Sequence, residues 1–334
     1  MKKILSVVTP MLLIAIGLPN AALAKDITVD ASGGGDFKTV QQAVDSVPDK
    51  NSERVRILIK PGTYEEQITV AKTKPMISFI GQGSKPEDTV LTYHLKASDP
   101  KSDGSGNVGT TGSSSTFIHA DDFVAENVTF ANSAGDNVGQ AVAIKTTSDR
   151  LIFRNCRFLG FQDTLYPTGG RHYFKDCYVT GDTDFIFGNA TAVFDHCTIN
   201  SSDAGYVTAA NTKPENAFGY VFLDCTLTAS PGVKSGSVYL GRPWQWDRGS
   251  KAAVTFVRTK MGPHINPAGW HPWDAEKNTQ PGDTTRFAEF GSTDLDGKEL
   301  DLSKRVDWAK QLSVAEAAKL TVQSPLSGWD PTKE

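Results

Sequence analysis

The chain has 334 residues, 39% of them hydrophobic and 22% charged, which is enough apolar content to bury a large core and excludes disordered and collagen-like classes. Its 38 acidic and 34 basic residues leave a formal charge of -4, so there is no electrostatic case for nucleic acid as a partner. Thirty glycines and 17 prolines favour short strands and many turns over long helices, and four cysteines are too few for a disulfide scaffold.

Residues 1–24 open with Lys2 and Lys3, run through apolar Ile4 to Leu18 and close on Ala22-Leu23-Ala24, the pattern of a secretory signal peptide. The apolar run of about 15 residues falls short of the roughly 20 that a membrane span needs, which sets an uncleaved anchor aside as the lesser alternative. The expectation is a signal peptide over 1–24 and one domain over 25–334, soluble and either periplasmic or extracellular. Ile27-Thr28-Val29 then reads as a strand. Val40, Ala43, Val44 and Val47 fall at helical spacing before Pro48, which predicts a short helix from Thr39 to Val47. Val55 to Ile59 and Met76 to Ile80 read as strands around a turn at Gly62-Thr63-Tyr64. Residues 97–116 almost lack large apolar side chains and read as a long exposed loop within the domain.

From residue 117 a weak repeat appears: Glu126-Asn127-Val128-Thr129-Phe130, Arg154-Asn155-Cys156-Arg157-Phe158, Lys175-Asp176-Cys177-Tyr178-Val179, Asp195-His196-Cys197-Thr198-Ile199 and Leu223-Asp224-Cys225-Thr226-Leu227. The steps from Val128 through the cysteines are 28, 21, 20 and 28 residues. That period, without helical patterning, predicts an all-β right-handed parallel β-helix, a solenoid of stacked short strands. An immunoglobulin-like sandwich is the alternative, but it does not account for an Asn/Asp-Cys step recurring at the coil period. Ser313, three residues before Glu316, predicts a short C-terminal helix packing on the solenoid or capping its end.

Asp163 lies seven residues after Cys156, and Asp184 seven after Cys177, so the two occupy equivalent places on successive coils. Rungs of a parallel ladder are about 4.8 Å apart, and two carboxylates held that close push one pKa upward, leaving an acid beside an anion. The alternative is two solvated turn aspartates, which spacing alone leaves open; the flanking segments Phe161-Gln162-Asp163-Thr164-Leu165 and Asp184-Phe185-Ile186-Phe187-Gly188 argue against it, being unusually apolar for solvated turns. Spacing alone does not name the chemistry, since carboxyl groups about 5 Å apart also suit a retaining glycosidase. A serine esterase lacks its G-x-S-x-G elbow here, and the six histidines show no metal-ligand spacing. His196, beside a repeat cysteine, reads as structural.

Five segments, Gly62-Thr63-Tyr64-Glu65-Glu66, Gly139-Gln140-Ala141-Val142-Ala143, Gln162-Asp163-Thr164-Leu165-Tyr166, Asp184-Phe185-Ile186-Phe187-Gly188 and Leu240-Gly241-Arg242-Pro243-Trp244, resemble in this order the signature blocks of pectin methylesterases of the secreted bacterial type. The resemblance extends more loosely from Phe37 to Trp329. It implies a parallel β-helix that hydrolyses methyl esters of polygalacturonan to pectate and methanol, with no cofactor and no metal. By the same resemblance Asp184 is the nucleophile, Asp163 the general acid and then base, Gln140 and Gln162 the oxyanion donors, and Arg242 the residue holding the nucleophile. Trp244, and more weakly Phe187, would bind the sugar rings; Tyr64-Glu65 reads as structural. The expected partner is methyl-esterified polygalacturonan, bound by a monomer with no nucleic-acid or membrane partner. Cys156, Cys177, Cys197 and Cys225 form one column within disulfide reach, and the resemblance to bacterial members favours Cys177–Cys197 over a buried thiol ladder. The stretch Gln245-Trp246-Asp247-Arg248 and the 97–116 loop look individual to this chain and are expected to lie apart from the catalytic core. A β-helix enzyme that cuts the polymer, whether polygalacturonase-like or a calcium-dependent lyase, is the second reading, and a silent binding relative the third. The paired glutamines argue against the hydrolase, no carboxylate cluster supports calcium for a lyase, and the five site positions argue against silence.

Overall fold

The computed structural model describes residues 25–244, 249–274 and 285–334; the expected signal peptide and the Gln245–Arg248 stretch lie outside the described residues. The described strands pair in parallel throughout an 11-stranded and a 13-stranded sheet, and successive coils contribute one rung to each face of a three-faced parallel β-helix. The first face runs from Lys25–Val29 through Val55–Ile59, Ile77–Gly81 and six further rungs to Thr285–Phe290 and Lys310–Gln311. The larger sheet supplies the second face, from Gly62–Glu65 through Arg157–Leu159, and the third, from Ile68–Val70 through Ile144–Thr146 and Leu165–Pro167, joined because Tyr178–Gly188 and Thr198–Ala210 run on around the corner between them.

The repeat has a physical cause at the first corner. Asn127, Asn155, Asp176, His196 and Asp224 all sit at φ between 47° and 58°, the left-handed region that Asn and Asp tolerate better than other side chains. The residue after each turns inward and is buried, Val128 after Asn127 and a small cysteine after each of the other four. Three residues before each cysteine stands a phenylalanine, and Phe153, Phe174, Phe194, Phe222 and Phe256 stack face to face at 4.9, 4.6, 4.5 and 4.4 Å along the interior. In-register parallel strands place like on like, so one aromatic per coil becomes a column.

The bridge expected between Cys177 and Cys197 is not formed: all four cysteines are buried free thiols. Each sulfhydryl instead donates to a phenylalanine or alanine carbonyl of the preceding rung, Cys177 to Phe153 O at 3.5 Å, Cys197 to Phe174 O at 3.4 Å and Cys225 to Phe194 O at 3.3 Å. The four thiols thus form a buried ladder, one per rung.

The helix at Val40–Ser46 buries Val40, Ala43 and Val44 over the first rung, and the Glu66 carboxylate accepts from the Val40 and Gln41 amides at 2.7 and 3.0 Å, satisfying its N-terminus. The expected turn at Gly62 is a strand, Gly62–Glu65, because Tyr64 is buried and its hydroxyl donates to Val29 O and Lys60 O. After the capped turn Val314–Ala317, the C-terminal segment leaves the end of the solenoid and runs back over the outside of the first face. There Leu326 is fully buried against Ile152, Tyr173, Val193 and Val221, and Arg154 donates to the Pro331 and Glu334 carbonyls at 2.9 and 2.8 Å.

Candidate active site

The second corner carries the paired carboxylates. Leu165 pairs with Ile186 across adjacent rungs, so Asp163 and Asp184, each two residues earlier, stand at matching positions. Both adopt left-handed backbone, at φ 67° and 52°, and this turns each carboxyl out of the core toward the outer surface of the third face. Asp184 occupies the irregular stretch of Tyr178–Gly188 where the register shifts, a local distortion of the kind that re-aims side chains at sites.

Arg242 grips Asp184 with two parallel bonds, Nε donating to Oδ1 at 2.9 Å and Nη2 to Oδ2 at 2.7 Å. The guanidinium lies between two rings, 4.0 Å from the Tyr206 centroid and 4.4 Å from that of Trp273. Gly241 allows this approach: a Cβ there would stand 2.0 Å from Thr208 Oγ1, while the Arg242 amide donates to Thr208 O at 2.9 Å.

The two aspartates are 7% and 5% exposed, and burial pushes both pKa values up. Asp163 rises well above the ordinary carboxylate range, through burial first and the charge of Asp184 second, against a smaller pull from Arg242. Asp184 is raised by burial too, but the Arg242 hydrogen bonds and charge oppose it. No side-chain hydrogen bond to Asp163 occurs among the described residues. The arrangement favours a proton on Asp163 and a charge on Asp184.

Both open into a cleft of about 680 Å³ whose lining also includes Gln140, Gln162, Phe187, Arg242 and Trp244. All seven cleft positions expected from the sequence are therefore gathered in one place. Cys177 and Cys197 lie in the interior, apart from it. Phe187 stacks on Tyr166 at 4.0 Å, and Trp244 stands 5.7 Å from Phe187, giving an apolar floor beside the carboxylates that suits the faces of sugar rings. The 97–116 loop is not apart from the core as expected: Val108 to Thr111 form part of the cleft wall, and Ser113, Ser114 and Ser115 are buried behind it. Tyr166, Tyr206 and Trp273 were not anticipated. Tyr206 pairs with Thr183 on the rung beside Asp184, so coil arithmetic could have found it. His196 binds Asp195 on the outer surface of the first face, consistent with a structural role.

A family model described as Pectinesterase matches residues 26–328. Among curated proteins, Pectinesterase 31 of Arabidopsis thaliana is 41% identical over 300 residues, 89% of this chain and 90% of that protein. Among solved structures, a pectin methylesterase from carrot superposes with a TM-score of 0.80 at 31% identity, covering 92% of this chain and 95% of that one. A pectin methylesterase solved in complex with a hexasaccharide gives 0.79 at 30% identity over 93% and 99%. The curated relative is a plant protein, so the bacterial type expected from the sequence gains no support from it.

Proposed function

The chain belongs to the pectinesterase family, and from that premise we propose how its cleft hydrolyses the methyl esters of pectin to pectate and methanol. The observation that carries the reading is the asymmetry of the carboxyl pair: Asp184 is clamped by Arg242, whereas Asp163 is buried and accepts no side-chain hydrogen bond among the described residues. The Asp184 carboxylate attacks the ester carbonyl carbon. The electron pair moves onto the carbonyl oxygen, where the Gln140 and Gln162 amides donate hydrogen bonds to the developing oxyanion. As the oxyanion collapses, the bond to the methoxyl oxygen breaks and Asp163 gives it a proton, so methanol leaves and an acyl-aspartyl anhydride remains. Asp163, now ionised, takes a proton from water as the water attacks the anhydride. The galacturonic acid product leaves and gives its proton to solvent to become pectate, Asp184 regains its charge and Asp163 has its proton again. Arg242 keeps Asp184 ionised for the next cycle, and Phe187 and Trp244 bind the sugar faces beside the reacting ester.

The domain assignment over 25–334, export after a signal peptide over 1–24, and a monomeric state with no nucleic-acid or membrane partner belong to the same proposal. They are supported by the Lys2-Lys3, Ile4–Leu18 and Ala22-Leu23-Ala24 pattern, by an acidic chain, and by a substrate that lies outside the cytoplasm.

The test incubates the protein with highly methylated pectin and a chelator, following methanol, new reducing ends and unsaturated uronide absorbance together. Methanol alone is expected. Reducing ends or unsaturated product without methanol would overturn the chemistry while leaving the fold intact. Asp184→Asn should lower methanol release by at least about 10³-fold, as loss of a nucleophile does, with an unchanged circular dichroism spectrum; release at the wild-type rate would remove Asp184 from its role.

A further inference from the structure

Lys145 stands in the outward row of the third face, paired with Phe117 on one neighbouring rung and Tyr166 on the other, and lines the cleft. Its Nζ lies 4.7 Å from the Tyr166 ring centroid and donates to Thr111 Oγ1 at 3.0 Å. The loop wall and the aromatic floor thus fix an ammonium at the cleft's side. Among the described residues no carboxylate pairs with it, and burial pushes its pKa down. A half-buried cation without a counter-charge gains when an anion binds. Nor do the two catalytic carboxyls supply that charge: Arg242 already pairs with Asp184, and burial together with the Asp184 charge favours the protonated form of Asp163. The substrate has carboxyl groups at every unit, each either a neutral methyl ester or an anion, so a chain lying across Tyr166 brings one of the two to Lys145.

We propose that Lys145 is a specificity-determining residue that reads the carboxyl state of a pectin unit in the cleft, favouring a free galacturonate over a methyl galacturonate at that place. The inference rests on the esterase reading of the same site. Thr111 and Tyr166 act as positioning residues, holding the ammonium where a unit's carboxylate can meet it. A chain that already carries some free carboxylates is then the better ligand.

The test uses the full chain in an Asp184→Asn background, which prevents turnover, and titrates tryptophan fluorescence with two oligomers of equal length, one fully de-esterified and one fully methylated. Adding Lys145→Met should weaken binding of the anionic oligomer relative to the methylated one by about tenfold, the scale of one charge-assisted contact. Adding Lys145→Arg should hold the ratio within a few-fold, and raising the ionic strength should erode the preference of the background protein. Equal weakening of both oligomers by Lys145→Met, or none, overturns the inference. Failure of the esterase reading shows separately, as absence of methanol from the otherwise unaltered enzyme on methylated pectin.

Discussion

Asp163 and Asp184 share a backbone geometry and a degree of burial, and what separates them is one arginine. Arg242 opposes the upward push of burial at Asp184, so its removal should let that pKa climb further. An ionised nucleophile sets the acid limb of the rate profile. Arg242→Gln should therefore move that limb to higher pH while lowering the maximum, read as methanol release across a pH series; an unmoved limb would detach Arg242 from the titration. The basic limb should follow Asp163, whose proton is lost as pH rises through its elevated pKa. The same elevation has a consequence for stability with a definite sign. A carboxyl whose folded pKa lies above its unfolded value of about 3.9 contributes stability below that value and loses it as pH rises through the folded pKa. Asp163→Asn should accordingly melt at a higher temperature than the wild type near neutral pH, with the advantage gone below about pH 4. Equal melting temperatures at pH 7 would contradict the raised pKa of the buried Asp163 carboxyl. At this scale the sequence was informative where chemistry repeats with the coil, as in Asp163 and Asp184, and silent where it does not. Trp273 reaches Arg242 from a segment outside the repeat, and no spacing predicts it.

The unit that builds the molecule is the corner residue, the inward cysteine and the phenylalanine three residues earlier. Coil spacing revealed the cysteine column, but the phenylalanine column was equally present in Phe153, Phe174, Phe194, Phe222 and Phe256, and it carries more apolar area. Phe194 is fully buried between Phe174 and Phe222. Phe194→Ala should cost about 3–5 kcal/mol, the range for deleting a core aromatic, measured by denaturant unfolding; a loss below that of a surface substitution would mean the column collapses into the gap. The strand at Gly62–Glu65 was misread as a turn because its composition is turn-like, whereas its pairing with Thr89–Tyr93 depends on residues more than 20 positions away. The role of the 97–116 segment was hidden for a related reason. Its wall is made of glycine, threonine and valine that gain meaning only from where the flanking rungs place them.

At the scale of the whole molecule, the C-terminal segment joins parts that the coil order keeps apart. It covers Ile152, Tyr173, Val193 and Val221 on the outside of the first face, a surface that would otherwise be an exposed apolar patch. A chain ending at residue 312 should bind a hydrophobic dye and aggregate on warming while keeping its strand content; a monomeric, dye-silent truncation would show that the face needs no cover. The capping box at Ser313 was legible in the sequence, but the direction of the segment beyond it was not, because the contacts of Leu326 and Arg171 with Trp329 join residues about 150 positions apart. A stack of rungs in which each touches only its neighbours would shed coils one by one when drawn from an end. Here the last residues are fastened to Arg154, several rungs back, so the final coils sit inside a closed loop of chain. Tension applied at the C-terminus is borne first by that fastening, and the rungs beneath feel no load until it parts. The molecule should then respond to pulling as a latched hoop, with one high force peak ahead of any coil-by-coil release.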